Sequence, residues 1–319
     1  MKSPTFLSIV VPCHNEEEVL FSTHHTLRGF CDAWLLRGLI RDYELVFVNN
    51  GSGDKTLDVM LDIYNRDTHA VIVDLRKNFG VQGSFSAGLF EATGDVVVTI
   101  DADLQDDASK IEDMIQKYYE GYEMVLGVRM NRDSDTFFKR ITAQAFYKTL
   151  KMMGIQSVYN HADFRLLSRA LIVELKKFPE RVRYLRGLIF EIESRYACVY
   201  YSRQKRKLGK SKFNVFSLFT LAFDGITSFT STPIRLISIM GFAMFLFSLF
   251  GFIYVFYSKF ILFRDVPGWA SLALIILFFG GIQNLALGII GEYIAKMYLE
   301  TKRRPIYIVK KEYRHNTYT

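Results

Sequence analysis

Val96-Val97-Val98-Thr99-Ile100-Asp101-Ala102-Asp103-Leu104-Gln105-Asp106-Asp107 reads as a buried strand that runs out into acids. An uncharged, mostly β-branched run suits a strand covered on both faces. Folds of the α/β class bind ligands beyond the C-terminal ends of such strands. Alternate residues of an extended chain point the same way, so Asp101 and Asp103 can face one point. Two close carboxylates repel unless a proton or a cation sits between them. A hard divalent ion, Mg²⁺ or Mn²⁺, itself bound to a diphosphate, meets that need. Solvated acidic loops also contain Asp-x-Asp, so the motif draws its weight from its surroundings.

Upstream, strands and helices alternate. Leu7-Ser8-Ile9-Val10-Val11-Pro12 reads as a first strand. A helix is expected from Glu16, with Asn15 as its N-cap. Glu44 to Val48 is a second strand, closed by the turn Asn49-Asn50-Gly51-Ser52-Gly53. A helix over 55–65, a strand over 70–74 and a helix over 83–92 lead into the acid-bearing strand. This alternation predicts a parallel sheet wound on both faces. Downstream, helices are expected over 109–119, 137–153 and 168–176, and strands over 124–128 and 197–202. No Gly-x-Gly-x-x-Gly follows the first strand, which disfavours a dinucleotide-dependent oxidoreductase.

The chain has 319 residues, a formal net charge of +7 and 28 phenylalanines. Its apolar content rises sharply after about residue 210. Arg203, Lys205, Arg206, Lys207, Lys210 and Lys212 form a basic cluster. The apolar stripe Phe213, Phe216, Phe219, Phe223 and Ile226 follows, as in a helix lying in a membrane surface. Leu236–Tyr257 and Val266–Gly291 are uncharged and long enough to predict two transmembrane helices. The excess of Lys and Arg after the second run puts the tail, and with it the N-terminal domain, on the cytoplasmic side. The expected organisation is a cytoplasmic catalytic domain over 1–212, an interfacial helix over 213–233, two spans over 234–295 and a basic tail over 296–319. That makes a multi-pass protein of the bacterial plasma membrane. Cys13, Cys31 and Cys198 are odd in number and without metal spacing, so they receive no role. The basic residues cluster beside the apolar runs, which favours anionic lipid and phosphate over nucleic acid.

Several segments resemble family 2 glycosyltransferases of the GT-A fold. They are Val11-Pro12-Cys13-His14-Asn15-Glu16-Glu17, the turn Asn49-Asn50-Gly51-Ser52, and Asp101-Ala102-Asp103-Leu104-Gln105-Asp106. Asp163-Phe164-Arg165-Leu166-Leu167-Ser168-Arg169 and Arg206-Lys207-Leu208-Gly209-Lys210-Ser211-Lys212-Phe213 are similar to the polyprenyl-phosphate branch, related to dolichol-phosphate mannose synthase. So are Gly225 to Phe229, Gly291 to Ile294 and Lys302 to Pro305. The resemblance implies a GT-A, Rossmann-like nucleotide-sugar-binding domain. It implies inverting transfer of a sugar, glucose from UDP-glucose, to undecaprenyl phosphate for modification of a cell-surface glycan such as the O-antigen of lipopolysaccharide. Other donors, GDP-mannose, UDP-galactose or a UDP-N-acetylhexosamine, stay open.

On this reading Asp101, Asp103 and Gln105 hold the metal. Pro12, Glu16, Asn50 and Asp101 hold the donor. The acceptor is already an anion, so charge neutralisation and positioning matter more than a strong base. Arg129, Arg140, Arg206 and Lys212 are the candidates for the acceptor phosphate, and Arg129 and Arg165 join the acids in catalysis. Arg suits bidentate phosphate contact. Asn50 departs from the family pattern, which has an acid there, and Asn49 and Asn50 can equally serve only to shape the turn.

Two rivals remain. A processive polysaccharide synthase would carry Gln-x-x-Arg-Trp, and neither Trp34 nor Trp269 lies in one. A catalytically degenerate scaffold would draw on the altered turn alone. A homo-oligomer and a flippase are further possible partners.

Overall fold

The computed structural model describes residues 3–130, 158, 160–181, 183–203 and 268–315, with scattered positions between 234 and 257. Two compact units emerge: 1–152 with 156–214 and 303–319, and 153–155 with 215–302.

The first unit is built on an eight-stranded sheet in the order β7-β5-β6-β4-β1-β2-β3-β8. In chain order the strands are β1 Thr5–Cys13, β2 Ile40–Asn49, β3 Ala70–Leu75, β4 Val96–Thr99, β5 Met124–Arg129, β6 His161–Ser168, β7 Tyr196–Tyr201 and β8 Val309–Tyr313. The helices are α1 Leu20–Leu36, α2 Thr56–Arg66, α3 Gly80–Glu91, α4 Ile111–Tyr119, α5 Arg169–Lys176 and α6 Leu185–Ile192. β1 lies between two parallel neighbours, β2 and β4. The chain therefore reverses its winding direction at β1, and the crevice beyond the C-terminal ends of β1 and β4 is the topological switch point.

Apolar side chains on one sheet face pack against α1, α2 and α4 in a single cluster that includes Ile9, Val11, Phe47, Ile72, Val98, Trp34, Met60 and Met114. The opposite face carries α3, which lies directly on β1 and β2. A Cβ on Gly88 would stand 2.2 Å from Val10 Cγ1 and 3.0 Å from Val48 Cγ2. Burial on both faces explains why β1, β3 and β4 are dominated by apolar residues.

Four expectations are corrected. The sheet is mixed, since β6 runs antiparallel to β4 and β5, and β8 antiparallel to β3. Helix α1 starts at Leu20 and not at Glu16, and has no side-chain cap. Asn15 adopts φ 56° and gives its side-chain oxygen to the Gly53 N–H at 2.8 Å. The tail is no free extension, because Val309–Tyr313 adds an edge strand beside β3.

The last correction concerns the two transmembrane helices. Among the described residues, no helix is long and apolar enough to cross a membrane. The first apolar run falls largely outside the described residues. Much of the second lies in α7, Trp269–Thr301, in the second unit. Gln283 and Asn284 stand at mid-length in that helix, and Glu292, Lys296 and Glu300 follow. Polar amides at the centre of a helix oppose burial in hydrocarbon.

Candidate active site

Asp101 and Asp103 leave the sheet directly after β4, beside the end of β1. The Ile100 N–H donates to the Val10 carbonyl at 3.0 Å and carries the parallel ladder to the edge of the acid loop. From α1, the Thr23 hydroxyl donates to the Ala102 carbonyl at 2.5 Å. The loop then turns through Leu104 at φ 45°, where the Leu104 N–H reaches the Asp101 carbonyl at 3.2 Å. Left-handed backbone at a leucine costs on the order of 1 kcal/mol or more, and such strain collects at functional sites.

The loop is crowded with negative charge. Burial raises Asp101 first, and Asp106, Asp163 and Asp103 add to the effect, pushing its carboxyl up to about 7. The antiparallel pairing of β4 with β6, Thr99 opposite Arg165, brings Asp163 toward Asp101. Asp163 itself behaves oppositely. Burial alone would raise it, but Arg186 and Arg165 hold it well below the usual carboxylate range. Arg165 is fully buried and pairs with Asp163 Oδ1. Arg186, from α6, bonds Asp163 Oδ1 through Nε at 3.2 Å and Oδ2 through Nη2 at 2.7 Å. Leu185, one residue before it, is anchored by its N–H to Gln82 Oε1 at 3.0 Å.

Arg129, expected at the acceptor phosphate, pairs with Asp106. Its Nε and Nη2 lie 3.1 and 3.0 Å from Asp106 Oδ1, and the Tyr201 hydroxyl donates to the same oxygen at 2.7 Å. Asp106, Arg129 and Tyr201 thus form a buried brace behind the acid loop. The Gln105 side-chain oxygen, expected at the metal, accepts from Arg203. Arg140, Arg206 and Lys212 lie outside the described residues.

At the ends of β1 and β2, Asn50, expected to hold the donor, takes part in a hydrogen-bonded seam. Asn50 Nδ2 donates to Asn78 Oδ1 at 3.2 Å and to the Gly80 carbonyl at 3.1 Å, while its oxygen accepts the Phe79 N–H at 2.9 Å. The side chain thus holds the loop at 78–80. Gly51, at φ 62°, has the Lys77 carbonyl carbon 2.4 Å from where a Cβ would stand, so only glycine fits there. His14 joins the seam through Nδ1 to the Asn50 carbonyl and Nε2 to Asn78 Nδ2, both at 3.1 Å. Pro12, at the end of β1, and Glu16, whose N–H donates to the Thr56 hydroxyl at 2.9 Å, flank it.

The structure therefore gathers Asp101, Asp103 and Arg165 around one place and sets Pro12, Glu16 and Asn50 at the neighbouring strand ends. The sequence reading did not single out Arg186 or Tyr201, because nothing local marks them, and it placed Arg203 in the basic cluster without giving it a part in the site. Asp163 and Arg165 did carry a signal, an acid and a base two apart on an apolar strand.

The profile of "Glycosyl transferase family 2" matches residues 8–176. This chain belongs to glycosyl transferase family 2. The matched stretch contains β1 to β6, both acids and Arg165. Among relatives of this glycosyltransferase, "Uncharacterized glycosyltransferase YkoT" of Bacillus subtilis is 43% identical over 97% of this chain and 92% of its own. The "Bactoprenol glucosyl transferase" of Shigella phage SfII is 36% identical over 97% and 99%. The "Prophage bactoprenol glucosyl transferase homolog" of Escherichia coli is 37% identical over 96% and 98%. The likeness extends well beyond the family profile to nearly the whole of each chain.

Proposed function

We propose that this glycosyltransferase moves glucose from UDP-glucose to undecaprenyl phosphate with inversion, at the cytoplasmic face of a bacterial plasma membrane. The observation that carries this reading is the near-full-length likeness to bactoprenol glucosyl transferases. The product would be a lipid-linked glucose used in modifying a surface glycan.

Among the described residues no group of three or more His, Cys, Asp or Glu forms a metal centre. The donor set nevertheless fits Mg²⁺ or Mn²⁺. Asp101 and Asp103 offer hard oxygens, and the crowding that lifts the Asp101 carboxyl to about 7 is relieved by a cation. The Gln105 side-chain oxygen accepts from Arg203 and keeps a second lone pair with which it could join them. Bound there, such an ion neutralises charge developing on the leaving diphosphate.

The protein's own groups do the rest. Thr23 and the Asp106–Arg129–Tyr201 brace hold the acid loop rigid, so little reorganisation is left for the transition state. Arg165 supplies a fixed positive charge beside the acids. The phosphate oxygen of the lipid needs no deprotonation, which agrees with a site whose buried Asp163 is tied to two guanidinium groups. The seam at Asn50, His14 and Asn78 shapes the floor against which a nucleoside would lie. The cationic tail residues Lys302, Arg303 and Arg304 suit an anionic lipid surface.

The test is transfer of radiolabelled sugar to undecaprenyl phosphate by the purified protein in lipid, across a panel of UDP- and GDP-sugars, with and without chelator. UDP-glucose should be the preferred donor, and chelation should abolish transfer. Asp103→Ala should lower turnover by about 10²-fold or more, the scale of losing one electrostatic stabiliser. Full activity under chelation, or no labelled lipid with any donor, would sink the proposal.

A further inference from the structure

Strand β8 meets β3 where β3 runs out into the loop at 76–80. Asp74 faces Lys311, but Leu75 faces Val309, so Lys310 is the extra residue of a bulge. Its Nζ lies 3.4 Å from Asp74 Oδ2. Just beyond, the Arg76 N–H donates to the Ile308 carbonyl at 3.0 Å, so the loop leaves the sheet tied to the tail. Asp74 is only 3% exposed. Its Oδ1 accepts from Asn49 Nδ2 at 2.7 Å, and Asn49, the register partner on β2, is equally buried. Asn49 Oδ1 accepts the Ser52 N–H at 3.1 Å, and the Ser52 hydroxyl accepts the Asn15 N–H at 3.1 Å. One line of polar contacts therefore runs from Lys310 through Asp74 and Asn49 into the turn at 49–53. A second runs through the backbone: Ile308 holds Arg76, and Asn50 holds the same loop at Phe79 and Gly80. A buried carboxylate is costly unless its partners are fixed. A pair serving stability alone would suit either end of the strands. This one sits at their C-terminal ends, next in sequence to Asn50.

We propose that β8 is a working part of the nucleotide site, with Asp74 as the positioning residue that ties Lys310 to Asn49 and so fixes the turn and the loop against which the nucleoside lies. The proposal rests on the reading of the strand ends at Pro12, Glu16 and Asn50 as the donor site. Asp74 and Lys310 act through the backbone of the turn and the loop, not by touching substrate. Small displacements of such backbone cost binding because the site is preorganised for one geometry. Donor binding therefore depends on the tail, and acceptor binding does not.

The experiment uses the full chain in lipid, each variant first checked for a cooperative melt. The quantities read are the Kd for UDP and for GDP, the KM for the sugar nucleotide, and the KM for undecaprenyl phosphate. Asp74→Ala should weaken nucleotide binding roughly tenfold, the scale of one hydrogen bond to a charged group. Asn49→Asp sets two carboxylates face to face and should do the same. Adding Asp74→Asn to it restores one acid and one amide, and should return the Kd to within about threefold of wild type. Lys310→Glu should weaken binding by roughly threefold to tenfold and Lys310→Arg by less than about twofold, since an exposed pair is worth little. The KM for the sugar nucleotide should follow the Kd, with the KM for undecaprenyl phosphate unmoved, a split that a merely structural fault would not produce. Asp74→Ala and Lys310→Glu proteins that bind nucleotide within twofold of wild type would overturn the proposal and leave the donor-site reading standing, as would an equal loss in both KM values. If Asp74→Ala does not fold, Lys310→Glu, on an exposed side chain, decides by the same threshold. A wild type that binds neither UDP nor GDP would overturn the donor-site reading and the proposal with it.

Discussion

Arg314→Ala should destabilise the first unit far more than a tail position suggests. Glu44 is completely buried inside β2. Its Oε1 accepts from the Ser8 hydroxyl at 2.7 Å and the Thr93 N–H at 2.6 Å, and Oε2 faces Arg314 Nη1. Arg314 is also fixed to the Glu91 carbonyl at 2.8 Å and to Glu312 at 2.8 Å. Removing the guanidinium strands a carboxylate where water does not reach. Breaking a buried pair from one side costs about 3–5 kcal/mol. The two remaining hydrogen bonds and the partial exposure of Arg314 place the expected loss near the lower bound, about 3 kcal/mol. For a unit of this size that corresponds to a fall in Tm of roughly 6–12 °C. Thermal and urea melts of the purified protein read it directly. The double variant Glu44→Gln with Arg314→Met should recover much of the loss, because it leaves no buried charge behind. An Arg314→Ala protein melting within a degree of wild type, or a double variant no better than the single, would refute the reasoning.

Three further outcomes follow from the same physics. Asp106→Asn removes the charge that Arg129 answers inside the brace; the expected cost is about 3 kcal/mol in a urea melt. Asn50→Asp restores the acid usual in the family, yet here it should harm, because the new carboxylate would face Asn78 Oδ1 and the Gly80 carbonyl where Asn50 now donates. A loss of about 1–3 kcal/mol in stability is expected, against a rise or no change if the residue only faces solvent. Burial would raise Asp67, but the hydrogen bonds from His24 and the His69 N–H, with Arg28 nearby, bring it down to about 2. A carboxyl lowered on folding contributes stability that is complete above the unfolded value near 4 and is lost as pH falls through 2. That contribution is about 2 kcal/mol, so Asp67→Asn should flatten the acid limb of Tm against pH between 4 and 2. An unchanged acid limb would contradict it.

What the sequence determined by itself is the alternating pattern and the delivery of Asp101 and Asp103. Both are local: an apolar run needs two covering layers, and a strand's period of two aims alternate side chains together. Motif order was equally legible, which is why the family could be read before any fold. Tertiary structure decided everything that depends on which strands become neighbours. The insertion of β6 against the direction of β4 brings Asp163 and Arg165 to the acids, and no periodicity encodes that pairing. Arg186 joins them only because α6 is moored through Gln82. Arg129 looked like a phosphate ligand because it follows a strand, but a buried Asp106 outbids solvent for its charge. Asn50, read as a donor contact, is hydrogen-bonded to a loop some way along the chain at 78–80, a pairing no local pattern encodes. The tail read only as basic, since adjacent lysines do not announce a partner, yet the open edge of β3 and the buried charge of Glu44 draw Val309–Tyr313 and Arg314 to the sheet. Local pattern fixes what a segment can be. Burial of charge, settled only when distant segments meet, decides which of its polar groups are left for chemistry.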